Sequence, residues 1–307
     1  MAYRFERDFA TVQDGVREIA VESIDEAIER AGRKGKDLHE TVHALRKSCK
    51  KLRGLIRLVR PVFDDYRAEN AVFREAGRGF SFLRDCNVLI ETYDSLLDAY
   101  DEQIERAKFA PIRRRRLTLW QKELARRDDI AGMLKEFRDT MIKARKRARR
   151  WRLSEDGFDA IVGGLGKSYK RAQRAMAQAA DETTAEAVHE WRKRVKDHWY
   201  HARLLCPIWP RPMRAHGEVA GRLGDLLGTH HDLEVFRQRL AGADFADAAD
   251  VDVLVGLARR RQHALEADAF SSGARLLAEP AGSLTRRWHS YWDVWREDEP
   301  RQAVLAA

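Results

Sequence analysis

The same basic pattern occurs twice in this chain of 307 residues, about half the chain apart. Residues 43–57 and residues 189–203 both fit H-x2-R-K-x2-K-x6-R. The shared residues are His43, Arg46, Lys47, Lys50 and Arg57 in the first segment and His189, Arg192, Lys193, Lys196 and Arg203 in the second. Three weaker matches follow in the same order, pairing 84–88 with 231–235, 113–116 with 259–261, and 149–151 with 286–288. Ordered matches at a similar spacing indicate an internal duplication.

The duplication predicts two repeats, residues 1–152 and residues 153–307, joined near 153–157. Only 7 Pro and 19 Gly occur, and the abundant Ala, Leu, Arg and Glu are good helix formers. We therefore predict an all-α fold of two pseudo-symmetric four-helix bundles. The expected helices are 8–31, 36–60, 65–100 and 102–150 in the first repeat and 157–181, 183–205, 213–240 and 245–290 in the second. The pattern allows a break within 102–150. Most of the 8 Trp residues are expected to pack between helices.

Each copy of the pattern predicts an amphipathic helix with one basic face. The first stripe comprises His43, Arg46, Lys47, Lys50, Arg53 and Arg57, opposite the apolar Val42, Leu45, Cys49, Leu52, Ile56 and Val59. The second stripe comprises His189, Arg192, Lys193, Lys196, Tyr200 and Arg203, in front of Val188, Trp191, Val195 and Ala202. Residues 41–60 contain no Asp or Glu, so the cations of the first stripe repel one another. This arrangement favours an anionic ligand.

Composition agrees with an anionic partner and excludes several classes of protein. The net charge is +9, from 58 Lys and Arg against 49 Asp and Glu. The N-terminal segment lacks the apolar region of a secretory signal, and no apolar run is long enough to span a membrane. The 3 Cys residues are far apart, which excludes a disulfide framework or a cysteine zinc site and suggests the cytoplasm.

No catalytic or cofactor motif stands out. The sequence has no GxGxxG, P-loop, HExxH or GxSxG pattern, and no His is recognisably paired with a Ser or Cys nucleophile. The segment 163–166, which reads GGLG, is interpreted as a loop because no strand precedes it. We therefore expect a protein that is not an enzyme and that carries no cofactor.

A metal site is the principal rival to anion binding on these helices. Glu40-x-x-His43 and Glu186-x-x-His189 repeat the spacing of carboxylate-bridged di-iron bundles. The neighbouring Arg and Lys residues oppose a divalent cation, and no further Glu pair stands out. The sequence 230–232, His-His-Asp, also looks like a ligand cluster, but consecutive helical residues point about 100° apart. Anion binding is preferred, and the metal alternative stays open.

The doubled basic pattern, followed by Arg84-Asp85 and His231-Asp232 segments, resembles the CHAD family, the conserved histidine α-helical domains, over about residues 5–295. This resemblance implies two helical bundles with a basic groove or pore between them. It also implies non-catalytic binding of inorganic polyphosphate and possible targeting to polyphosphate granules. The implied contacts are His43, Arg46, Lys47, Lys50, Arg53, Arg57, His189, Arg192, Lys193, Lys196 and Arg203. Supporting candidates are Arg17, Arg116, Lys170, Arg171, Tyr200 and Arg260.

The two copies of the pattern lead to two expectations about ligand binding. Lys51 in the first repeat matches Asp197 in the second, so we expect the two repeats to contact the ligand unequally. At an ordinary pKa, the matching histidines would gain charge below about pH 6.5 and strengthen anion binding. A nucleic-acid binder using the same stripes is the alternative, although the sequence has no known reading motif.

Overall fold

A computed structural model shows a helical fold. It describes residues 3–33, 37–125, 130–241 and 248–297, without the side chains of 81–87, 116, 119–125, 241 and 248. This part of the chain contains no strand and forms the helices α1 (Val12–Gly32), α2 (Leu38–Leu58), α3 (Tyr66–Arg78), α4 (Ser81–Ala99), α5 (Arg106–Ala125), α6 (Ile130–Ala148), α7 (Asp159–Glu182), α8 (Ala185–Leu204), α9 (Pro210–Ala241), α10 (Ala248–Leu276) and α11 (Ala281–Glu297). The predicted all-α class is confirmed. The division at residue 152 stays a prediction.

Three of the predicted long helices are each two helices. The predicted helix 65–100 breaks at Gly79 and Phe80, where the Phe80 ring turns into the core and packs 5.5 Å from the Phe137 ring. The predicted helix 245–290 breaks before Pro280, which has no N–H to continue the hydrogen bonds of a preceding helix. The predicted helix 102–150, which allows a break, corresponds to α5 and α6; residues 126–129 lie outside the described residues.

The loop predicted at residues 163–166 is wrong, because these residues lie inside α7. The reason is a close contact between helices. A Cβ atom on Gly164 would lie 1.7 Å from the carbonyl oxygen of Leu58. Glycine here lets the backbone of α7 touch the end of α2, and the segment serves packing within a regular helix.

Helices α2 and α8 begin at the capping residues that their sequences provide. The Asp37 carboxylate accepts from the backbone N–H of His39 at 2.8 Å, and the Thr184 hydroxyl accepts from that of Ala187 at 3.2 Å. The apolar faces predicted for both helices are buried, with Leu45, Leu52 and Trp191 fully inaccessible. This burial turns the opposite, basic faces outward.

The two basic helices lie side by side in one core. A Cβ atom on Gly54 of α2 would lie 2.8 Å from the Cβ of Tyr200 on α8, so the helices approach closely there. The main apolar cluster includes residues of both predicted repeats, and Trp151, Trp191 and Trp288 are among its largest fully buried side chains. A smaller cluster joins α4, α5, α9 and α10. The close packing of α2 against α8 brings the two stripes to one surface.

Candidate anion-binding site

A cavity of about 630 Å³ lies between α2 and α8, and we call it the main cavity. All but two of the predicted contact residues line it. The lining residues are His43, Arg46, Lys47, Lys50, Arg53, Arg57, Arg192, Lys193, Arg194, Lys196, Asp197, Trp199, Tyr200 and Asp225. The structure therefore brings both stripes together around one space, although they are far apart in the sequence.

Helix α3 holds two cations of the first stripe through neutral groups. An Arg46 Nη1 donates to the backbone carbonyl of Gly77 at 2.8 Å, and the Arg53 Nε donates to the Asn70 side chain at 3.0 Å. Burial, followed by the nearby Arg57 charge, lowers the pKa of the Arg53 guanidinium. These two hydrogen bonds fix the positions of the guanidinium groups against α3.

The lysines of the second stripe have carboxylate partners. The Lys193 Nζ lies 2.5 Å from Glu190, which also accepts from the Arg194 Nε at 2.6 Å. The Lys196 Nζ lies 2.8 Å from the exposed Asp225 on α9. An anion that binds the second stripe must therefore compete with these carboxylates.

The Glu190 carboxylate stays ionised against an unfavourable environment. Partial burial raises its pKa, but hydrogen bonds from Lys193 and Arg194 outweigh burial and lower the pKa below its ordinary value. Glu190 therefore acts as a permanent internal counter-ion of the second stripe near neutral pH.

A buried ion pair joins the two basic helices. Arg57 of α2 donates from Nη1 to the Asp197 carboxylate of α8 at 2.6 Å, and their side chains are 9% and 13% exposed. The second oxygen of Asp197 lies 3.3 Å from Arg194. Arg57 thus lines the main cavity as predicted, but its charge is already matched by a carboxylate. Its principal role here is to hold α2 against α8.

Stacked cations and rings extend from one end of the second stripe. The Lys196 Nζ lies 4.7 Å from the centroid of a Trp199 ring, and the Arg203 guanidinium lies 4.9 Å from a Trp199 ring. Arg203 also lies over Tyr3, at 5.8 Å. Such contacts favour a cation above an aromatic face. Arg203, a predicted contact, therefore packs beside the main cavity and does not line it.

His189, the other predicted contact outside the main cavity, packs against a second histidine. Its ring centroid lies 3.9 Å from that of His231. Burial, then His231, Lys193 and Arg192, lower the pKa of His189 to about 4. The condition of an ordinary pKa is therefore not met at His189, because a buried imidazolium beside other cations is unfavourable.

The candidate metal ligands do not converge. His231 contacts His189, whereas the Nε2 of His230 lies 2.8 Å from Glu266 on α10. No three His, Cys, Asp or Glu residues of the described part of the chain are grouped so that they could hold a metal ion. The adjacent histidines belong to two separate interactions.

The supporting candidates are dispersed. Tyr200 lines the main cavity, and Arg171 lies 4.0 Å from Glu190. Arg17 donates to the carbonyl of Trp151 at 2.7 Å, and Arg260 lies over Tyr100, so neither lines the main cavity. Lys170 is exposed on α7, and the side chain of Arg116 lies outside the described residues.

Four lining residues were not predicted as contacts: Arg194, Asp197, Trp199 and Asp225. The first three flank the second stripe on α8, so a wider helical face would have included them. Asp225 lies on α9, and no pattern near the repeat indicates that it reaches Lys196. The electrostatic inequality of the stripes therefore depends on tertiary packing.

Comparison with known proteins agrees with this architecture. The CHAD domain family matches residues 18–241, a shorter span than the resemblance in the sequence indicated. The crystal structure of the CHAD domain from the plant Ricinus communis superposes with a TM-score of 0.63 at 18% identity, covering 91% of this chain and 95% of that chain. A search of curated proteins finds no match. No helix among the described residues has the length and apolarity needed to cross a membrane. The family match spans most of the chain, which therefore belongs to the CHAD domain family.

Proposed function

We propose that this protein binds inorganic polyphosphate in the main cavity as a non-catalytic module. The observation that carries the proposal is that cations of both stripes, from α2 and α8, line one cavity. Polyphosphate has a charge on each unit and no base edges, so a binder needs a long array of donors. Arg residues bind phosphate oxygens through paired N–H groups, and Lys residues add point charges.

The site chemistry favours a bare polyanion over a nucleic acid. Nucleic-acid binders of single strands combine a basic groove with aromatic faces on which bases stack. Here Lys196 and Arg203 already lie over rings of Trp199. Binding of this kind would place the protein on cytoplasmic polyphosphate granules, where the ligand is concentrated.

Charge reversal on both helices tests the proposed site. The double variant Lys47→Glu and Lys193→Glu places two carboxylates in the main cavity, and both side chains are exposed, so the fold should tolerate them. We expect the affinity for labelled long-chain polyphosphate to fall by more than about tenfold, since counterion release dominates polyanion binding. Fluorescence polarisation at near-physiological salt measures the affinity, and circular dichroism checks the helical content.

A matched control separates the site from the overall charge. Lys135→Glu with Arg259→Glu makes the same charge change at exposed positions outside the main cavity. This control should bind polyphosphate nearly as well as the wild type. Equal losses in the two double variants would show that only net charge matters. Easy displacement of polyphosphate by duplex DNA or single-stranded RNA would show that the stripes form a general polyanion surface.

A further inference from the structure

A second cavity lies on the other flank of the first stripe, between α1 and α2, and we call it the side groove. Its volume is about 450 Å³. Its lining residues are Glu26, Arg30, His39, Glu40, His43, Ala44, Lys47, Ser48 and Lys51. His43 and Lys47 line the main cavity as well. The two cavities are therefore neighbours that share one wall of basic side chains.

The side groove is lined by three cations, Arg30, Lys47 and Lys51, and by two carboxylates, Glu26 and Glu40, so its charged side chains sum to +1. Arg30 and Lys47 are exposed, whereas the Lys51 side chain is only 17% exposed. Burial lowers the pKa of Lys51, and the nearby cations Arg203, Lys47 and Arg30 lower it further. The Glu26 carboxylate acts in the opposite direction and raises the pKa of Lys51. The Glu26 carboxylate lies 3.8 Å from the Lys51 Nζ and compensates the positive charge of Lys51 only in part. The remaining repulsion between cations favours an anion in the side groove.

Position 51 is also where the two copies of the basic pattern differ. Asp197, at the matching position of α8, binds Arg57 and closes the contact between α2 and α8. Lys51 instead lines the side groove and lies 5.6 Å from the Tyr3 ring, which orients it. This position of the pattern therefore has two roles. Asp197 holds α8 against α2, whereas Lys51 adds a cation beside the main cavity.

We infer that the side groove is a second phosphate-binding subsite, continuous with the main cavity across His43 and Lys47, and that it selects long polyphosphate chains. This inference rests on the proposed function. A long polyphosphate chain can fill the main cavity and continue past His43 and Lys47 into the side groove. Because the chain is already bound, the second set of contacts forms intramolecularly, at a high effective concentration of phosphate. Tripolyphosphate has only three phosphate units, so we expect it to occupy the main cavity and to gain nothing from the side groove.

The inference is tested by substituting the cations of the side groove and measuring the affinity for a short and for a long polyphosphate. The variants are Arg30→Gln alone and Arg30→Gln with Lys51→Gln. The single variant at the exposed Arg30 keeps the test valid if Lys51, whose side chain is only 17% exposed, proves necessary for folding. Lys135→Gln with Arg259→Gln is the matched control. Calorimetric affinities for tripolyphosphate and for long-chain polyphosphate are compared for each protein, with thermal unfolding as the check on folding.

We expect the wild type to prefer the long chain. The double variant should lose about tenfold in affinity for the long chain, and Arg30→Gln about threefold, while tripolyphosphate binding changes by less than about twofold. The salt dependence of long-chain binding should weaken by about 0.7 in logarithmic slope for each lost phosphate contact. The control should match the wild type with both ligands.

Other outcomes overturn the inference in distinguishable ways. Equal losses for both ligands would show that the groove cations act on the main cavity only, and the length selection would be wrong. If the affinity of the wild type did not depend on chain length, the inference about the side groove would be wrong, and the proposed function would still hold. Failure of the wild type to bind either ligand would overturn the proposed function together with the inference.

Discussion

The Arg57–Asp197 pair offers a quantitative test of how the two basic helices are held together. Asp197→Ala leaves Arg57, which is 7% exposed, without the carboxylate that lies 2.6 Å away. Removing one partner of a buried pair costs about 3–5 kcal/mol, because the remaining charge is buried and uncompensated. Arg57→Met keeps most of the apolar stem, and Asp197 retains Arg194 at 3.3 Å. That substitution should cost only about 1–2 kcal/mol.

Equilibrium urea unfolding at neutral pH measures these free energies of unfolding. We expect Asp197→Ala to be the more destabilising single variant. The double variant Arg57→Met with Asp197→Leu should recover most of the loss, because an apolar pair avoids the desolvation of two charges. A larger loss for Arg57→Met than for Asp197→Ala would refute the reasoning. A loss below about 1 kcal/mol for Asp197→Ala would also refute it, since the cavity would then hydrate Arg57 adequately.

Two further predictions concern packing and pH. Gly164→Ala should cost about 4 kcal/mol or more, because its Cβ would lie 1.7 Å from the Leu58 carbonyl oxygen. Gly256→Ala is a control in α10, where an added Cβ atom would have no neighbour within 4 Å, and it should stabilise the protein by about 0.5–1 kcal/mol. Similar shifts of the unfolding temperature in the Gly164→Ala and Gly256→Ala variants would contradict the close contact at Gly164. Burial lowers the pKa of His201 to about 3 and of His216 to about 4. The unfolded chain therefore binds more protons between these values and about pH 6.5, so stability should fall as the pH falls through that window. Urea midpoints measured from pH 7.5 to pH 4.5 check this, and His216→Gln should flatten the profile; an unchanged profile would count against the assignment.

Much of the fold could be predicted because helical patterns are local. The 3.6-residue period of α2 places Leu45 and Leu52 on one face and Lys47 and Lys50 on the other, whatever the helix packs against. The helical architecture confirms the all-α class, whereas the duplication at His43 and His189 stays a prediction. The predicted helix ends failed where side-chain packing decides them. Phe80 ends a helix by entering the core, and no local pattern shows that.

The sequence by itself determined the helical class, the apolar faces and the angular position of each cation on its own helix, since these depend on spacing along one chain segment. Only the tertiary structure decided which charges meet. Asp197 neutralises Arg57 and Asp225 pairs with Lys196 because α2, α8 and α9 pack together. His189 remains neutral near pH 6.5 because packing buries it and places His231 against it. Charge interactions depend on distance and burial in space, and helices distant in the sequence acquire both only when the core forms.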